Sequence, residues 1–135
     1  MRPQTTVREV AELLVSHKIS GLPVVDDVGK LVGIISEGDL MSKEILPEPP
    51  AELCILGAVI YYSGLKEYQE AFARMAANTA EQLMTKTVVT AKAYDDVSDV
   101  ARLMRDRHIK RVPVLDDEGH LIGIVSRQDI VKMLL

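Results

Sequence analysis

Residues 31–39 read Leu31-Val32-Gly33-Ile34-Ile35-Ser36-Glu37-Gly38-Asp39, and ninety positions later the chain reads Leu121-Ile122-Gly123-Ile124-Val125-Ser126-Arg127-Gln128-Asp129. Each stretch is a short β-branched run that ends on a Ser suited to cap a helix, with an acid three places further on. Working outward, the same offset lays Val7–Leu40 over Val97–Ile130 without a gap. Identical pairs include Val10/Val100, Ala11/Ala101, Leu13/Leu103, Ile19/Ile109, Pro23/Pro113, Asp26/Asp116 and Gly29/Gly119. Leu14/Met104, Val25/Leu115 and Ile35/Val125 are conservative. An ungapped match of this length marks two copies of one structural unit.

The unit can be read element by element. Thr6-Val7-Arg8-Glu9 has the spacing of a capping box. Val7, Val10, Ala11 and Leu14 then recur on one helical face, which predicts a helix ending near His17–Lys18. Leu22–Val25 and Leu31–Ile35 are strands, joined by the Gly-containing turn Asp26-Asp27-Val28-Gly29-Lys30. Ser36 opens a second helix. Copy two repeats the order with a helix from Asp96, strands at Val112–Leu115 and Leu121–Val125, and a helix from Ser126. Ahead of it stand a short helix over Thr79–Met84 and a strand over Val88–Ala91. The predicted fold is α+β: two β-α-β-β-α repeats related by pseudo-two-fold symmetry. Repeat 1 covers 1–42, an inserted arm 43–78 and repeat 2 79–135, with the two repeats sharing one folded unit. Under the offset, Met1–Thr5 aligns with Ala91–Asp95, so the counterpart of Thr85–Thr90 falls before residue 1. Either the sequence starts short of that strand or another segment takes its place.

The arm is compositionally distinct. Leu46-Pro47-Glu48-Pro49-Pro50 reads as an extended linker. Leu53–Tyr62 is strongly apolar around Gly57. Leu65, Tyr68, Phe72, Met75 and Ala76 share one helical face. Such a segment either packs on the core of its own chain or serves as a dimerisation arm. Membrane association is the least suited reading, because the segment is short and lacks a Lys/Arg-rich face.

The whole composition narrows the function classes. Of 135 residues, 47% are hydrophobic and 27% charged, which excludes a disordered chain. The net charge of −4 gives no basic face for duplex nucleic acid. One cysteine, Cys54, allows neither an intrachain disulfide nor a multi-cysteine zinc site. The N-terminus has no secretory pattern, and the longest apolar run is far short of the ~18 residues of a membrane span. A soluble, cytoplasmic protein is the expectation.

The paired strings Gly21-Leu22-Pro23-Val24-Val25-Asp26 and Arg111-Val112-Pro113-Val114-Leu115-Asp116, together with residues 31–39 and 121–129, resemble the CBS domain family. The resemblance covers nearly all of the chain except the insert. It implies a tandem pair folded as one pseudo-symmetric unit, often a disc-like homodimer. It also implies clefts between the repeats that bind AMP, ADP, ATP or S-adenosylmethionine, and a role in regulation, with no cofactor beyond such a ligand.

A ribose offers two vicinal hydroxyls that one carboxylate can accept, and a nearby Ser hydroxyl and helix-start amides suit a phosphate. In the family this Asp holds the ribose, so the resemblance transfers that role to Asp39 and Asp129, beside Ser36 and Ser126. Ser-x-x-Asp is equally the pattern of a helix cap with an acidic third residue. By resemblance, one site combines Ile34, Ser36 and Asp39 with Thr87, Val88, Val89, Ile109, Lys110 and Arg111. There the apolar groups sandwich the adenine, and Lys110 and Arg111 meet the phosphates. A second, weaker site combines Ile124, Ser126 and Asp129 with Ile19, Ser20 and Gly21, and lacks both cations and the leading strand. Lys110 and Arg111 also read as an ordinary solvated pair.

His17, His108 and His120 are not spaced as metal ligands. His120 is expected to be exposed in a turn, and His108 exposed near the first site. Neither Ser lies in a nucleophile elbow, so catalysis is not expected. Three readings remain in order: a regulatory module for adenosine-containing ligands, a dimerising scaffold without a small-molecule ligand, and a hydrolase.

Overall fold

The first helix begins where the capping box places it. In the computed structural model, the Glu9 amide donates to Thr6 Oγ1 at 3.2 Å and the Thr6 amide to the Glu9 carboxylate at 2.9 Å. The structure describes residues 1–44, 51–55 and 57–135, so the expected linker over 46–50 lies outside the described residues. Repeat 1 supplies α1 (Val7–Ser16), β1 (Gly21–Val25), β2 (Leu31–Ser36) and α2 (Glu37–Met41). The insert gives β3 (Ala51–Ile55), β4 (Ala58–Ser63) and α3 (Leu65–Met75). Then come α4 (Ala80–Leu83), β5 (Ala91–Lys92), α5 (Val97–Arg107), β6 (Arg111–Leu115), β7 (Leu121–Ser126) and α6 (Arg127–Lys132). The class is α+β, and β5-α5-β6-β7-α6 reproduces the expected β-α-β-β-α order.

Two compact units partition the chain, and each draws on both repeats. One comprises Met1–Pro3, Pro23–Ile34 and Thr85–Leu135; the other comprises Gln4–Leu22 and Ile35–Met84. In the first, β5 runs parallel to β6 and β6 antiparallel to β7. Ala91, Val100, Met104 and Val112 form its core, with Ile109, Val125 and Ile130 packed against them. Burying such side chains stabilises the fold by roughly 1.5–3 kcal/mol each. Asp26 and Asp116 knit the two hairpin turns: each Oδ1 accepts backbone amides two and four residues on, at 2.8–3.0 Å. Gly29 and Gly119 take φ of +84° and +88°, which costs glycine little. The turns also pair with each other, Leu121 N donating to Gly29 O at 3.0 Å and Leu31 N to Gly119 O at 3.3 Å.

In the second unit Val10, Leu14, Ile35, Ala77, Ala80 and Leu83 are buried. The start of α1 is tied to the start of α4, Val7 N donating to Asn78 O and Ala80 N to Thr5 O, both at 2.8 Å. The apolar stretch of the insert is a β3–β4 hairpin turning at Gly57, whose φ is +83°. In α3 the rings of Tyr68 and Phe72 stack with centroids 6.4 Å apart. The Lys43 ammonium donates to the Met75 carbonyl at 2.9 Å and to the Ala77 carbonyl, so a cation closes the C-terminal end of α3.

The leading strand departs from expectation. Val88–Ala91 was the predicted span; the strand is Ala91–Lys92, and 87–90 carry no ladder. The segment is held at both ends by different partners. Thr85 pairs antiparallel with Ile34, while Ala91 and Lys92 pair parallel with Val114 and Leu115. Passing from one edge to the other uses up the residues between. No described helix is long and apolar enough to cross a membrane.

Candidate functional site

Both Ser-x-x-Asp strings fold as capping boxes. At α2 the Ser36 amide and hydroxyl donate to Asp39 Oδ2 at 2.8 and 3.1 Å, and the Asp39 amide returns to Ser36 Oγ at 3.4 Å. At α6 the corresponding distances for Ser126 and Asp129 are 2.8, 2.9 and 3.2 Å. The Ser126 amide, and then its hydroxyl, hold the Asp129 carboxyl below its usual value, with Lys132 adding to the effect. Each carboxylate thus commits Oδ2 to its helix. Among the described residues Oδ1 of each accepts no hydrogen bond, which leaves one anionic oxygen for a ligand. Asp39 is half-buried and Asp129 exposed.

The helix-start amides are less available than the sequence suggests. Glu37 N donates to Ser20 O at 2.9 Å, and Arg127 N to Lys110 O at 3.0 Å. With the Asp39 and Asp129 amides also taken by serine hydroxyls, most of each helix start is satisfied internally.

Lys110 and Arg111 are positioned by β6. Arg111 lies directly opposite Ser126 in the β6–β7 register, and Lys110 is exposed just before the strand. The sequence grouping set Arg111 with Asp39; the register holds its backbone beside Ser126. Ile109 packs against the core cluster, so part of its apolar surface is already used. The residues before these segments were not foreseen. Lys18 and His108, again ninety apart, adopt φ of 52° and 54°, the left-handed region that side chains other than glycine resist. No glycine or asparagine at either position signals it.

Ile34 and the segment toward Thr87–Val89 are brought together. Thr85 N donates to Ile34 O at 2.8 Å and Ile34 N to Thr85 O at 3.0 Å, starting that segment alongside β2. Val88 and Val89 are half-buried and Thr87 exposed. Ile124 has no such companion among the described residues and is 40% exposed. Its partner across β6 is Pro113, which has no N–H, so the polar groups of Ile124 face the outer edge. Asp129 borders a cavity of about 300 Å³ walled by Ala91, Val100, Val125, Ile130 and Met133. Ser20 and Gly21 are half-buried, and Ile19 is exposed.

His120 corrects its expectation: it is half-buried. Its amide reaches Asp116 Oδ1 at 2.8 Å, and its ring Nδ1 lies 3.2 Å from Asp116 Oδ2. His108 is exposed, as expected.

The sequence model of the CBS domain family matches residues 1–45 and 80–135, the two repeats without the arm. The chain belongs to the CBS domain family. It is 38% identical over 138 residues to an uncharacterized protein of Methanocaldococcus jannaschii, covering 94% of this chain and 80% of that one. The chloroplastic CBS domain-containing protein CBSX2 of Arabidopsis thaliana is 31% identical over 137 residues, and the whole chain matches 58% of its length. A crystal structure of CBSX2 in complex with AMP superposes with a TM-score of 0.76 at 30% identity, over 99% of this chain and 84% of that one. The CBS domain pair of protein MJ0100, in complex with 5-methylthioadenosine and S-adenosyl-L-methionine, gives 0.68 at 30% identity, over 99% and 86%. The fold is that of a tandem CBS pair.

Proposed function

We propose that this CBS pair is a regulatory module that binds an adenosine-containing ligand, of the class of AMP, ADP, ATP or S-adenosylmethionine, and performs no catalysis itself. The observation that carries the reading is the divided carboxylate of Asp39 and of Asp129: one oxygen fastened into a helix cap, the other open to a ribose. The similar CBSX2 and MJ0100 pairs crystallised with adenosine-containing molecules support it. Ile34 and Thr87–Val89 would flank the base, and Lys110 and Arg111 would meet the phosphates.

A melting screen against AMP, ATP, S-adenosylmethionine and NAD tests this. A ligand at 100 times its Kd adds about 2.7 kcal/mol of stability. No shift with any of them favours the second reading, a dimerising scaffold. The open edge at Ile124 and the internally satisfied helix starts are the features on that side.

Self-association is part of the proposal. In the arm, Ile60 is 48% and Phe72 50% exposed, and a second copy is the proposed cover. Light scattering should give at least twice the chain mass, and Ile60→Asp should lower it without lowering the melting temperature.

A further inference from the structure

We infer that Lys43 couples the ligand site at Asp39 to the inserted arm, so that a ligand held by Asp39 steadies the C-terminal end of α3 and an ordered α3 strengthens the ligand in return. The inference rests on the reading of Asp39 as a ligand residue and adds what that site controls.

The element between the two is α2, which is only five residues long. Asp39 is its third residue, and Lys43 follows about one helical turn later, just past the Ser42 cap. The interval is stitched by hydrogen bonds. Ser42 N donates to Gly38 O at 3.3 Å, Lys43 N to Leu40 O at 3.2 Å, and the Ser42 hydroxyl to Asp39 O at 2.5 Å. A helix this short has little stability of its own, so a further hold on the carboxylate at its start orders the residues at its end.

From that end a side chain reaches out of the repeat. The half-buried Lys43 donates from its ammonium to the carbonyls of Met75 and Ala77, which lie 32 and 34 residues further along the chain. These carbonyls stand at the end of α3, where a helix lacks internal donors and where its dipole favours a cation. The Ala76 amide closes the last turn on Phe72 O at 3.0 Å, and the Ala77 amide on Arg74 O at 3.2 Å. Loss of the cation shows first in that turn.

Repeat 2 indicates what the lysine is for. Ninety positions on, Met133 stands where repeat 1 has Lys43, and α6 forms with Met133 as its cap. The repeat itself therefore needs no cation there; the arm does. The CBS match ends at residue 45 and resumes at 80, so Lys43 lies inside it, and Met75 and Ala77 lie outside. The tie joins the part of the chain shared with the family to the segment that is not. A ligand that fixes α2 reduces the freedom that Lys43 gives up on the two carbonyls, and the converse holds equally. Linkage makes the two effects the same factor.

The test is amide hydrogen exchange, followed by NMR on the full chain with and without saturating AMP, and calorimetry with AMP on the same samples. Wild type is compared with Lys43→Met, the residue that repeat 2 uses, after melting curves establish that the variant is folded. In wild type AMP should slow exchange at the Ala76 and Ala77 amides about five- to tenfold. In Lys43→Met that slowing should vanish, and AMP should bind more weakly by the same factor. Should Lys43→Met prove unfolded, Lys43→Gln, which keeps one donor and no charge, should show both losses at smaller size. AMP that binds wild type without slowing these amides, or that slows them equally in the variant, overturns the coupling and leaves the ligand reading standing. Wild type that gives no binding heat with AMP overturns the reading of Asp39, and the coupling with it.

Discussion

Ile34 and Thr85 exchange both of their backbone hydrogen bonds, at 3.0 and 2.8 Å, although fifty residues separate them. This bridge sets the segment leading to Thr87–Val89 beside β2. It also explains why the leading strand is short, since the same segment must go on to pair with β6 from Ala91. Thr85→Pro removes the donor and should destabilise the fold by about 1–3 kcal/mol, read by chemical denaturation. Hydrogen exchange should then speed up at the Ile34 amide and leave the β6–β7 ladder protected.

The two left-handed residues make a second prediction. Lys18 and His108 each terminate a helix with positive φ, a conformation that costs a non-glycine residue about 1–2 kcal/mol. Lys18→Gly and His108→Gly should each raise stability by up to about 1 kcal/mol, the gain being reduced by the greater freedom of glycine in the unfolded chain. Destabilisation by either would mean that the side chain supplies more than the strain removes.

Acid should unfold the chain partly through its turn aspartates. The His120 amide holds the Asp116 carboxyl below its ordinary value of 3.8 against the opposing effect of desolvation, with the Glu118 amide and the His120 ring adding to the lowering. Asp26 is lowered in the same way, chiefly by the Lys30 amide. A depressed carboxyl contributes stability that is present above 3.8 and is lost as pH falls through its folded value. Asp116→Asn should therefore lower stability at neutral pH and flatten the decline below about pH 4, so that the variant and the wild type converge in acid. An unchanged acid slope would exclude Asp116 as a contributor.

Much of this was legible in the sequence because the chain states it twice. The caps at Thr6, Ser36 and Ser126, the hairpins at Gly29 and Gly119, and the order of elements follow from local chemistry that a repeat makes unambiguous. What was not legible depends on long-range pairing. The position of β5 is set by Ile34 and by Val114, far away along the chain. The placement of Arg111 beside Ser126 is a matter of strand register, and the burial of His120 follows from its bonds to Asp116. The strain at Lys18 and His108 has no compositional signature at all.

Ribose recognition by Asp39 is the centre of the account, and calorimetric titration with AMP and with adenosine tests it most directly. The variants are Asp39→Ala, Asp39→Asn, Asp129→Ala and Arg111→Ala beside the wild type. Losing a charge-assisted hydrogen bond costs ~1.5–3 kcal/mol, so Asp39→Ala should weaken both ligands tenfold or more. Asp39→Asn retains a capping side chain and separates that loss from the ~0.5–2 kcal/mol of the cap. Asp129→Ala should matter less, and Arg111→Ala should weaken AMP more than adenosine. Wild type that binds neither ligand, or that loses affinity only with Asp129→Ala, would contradict the account.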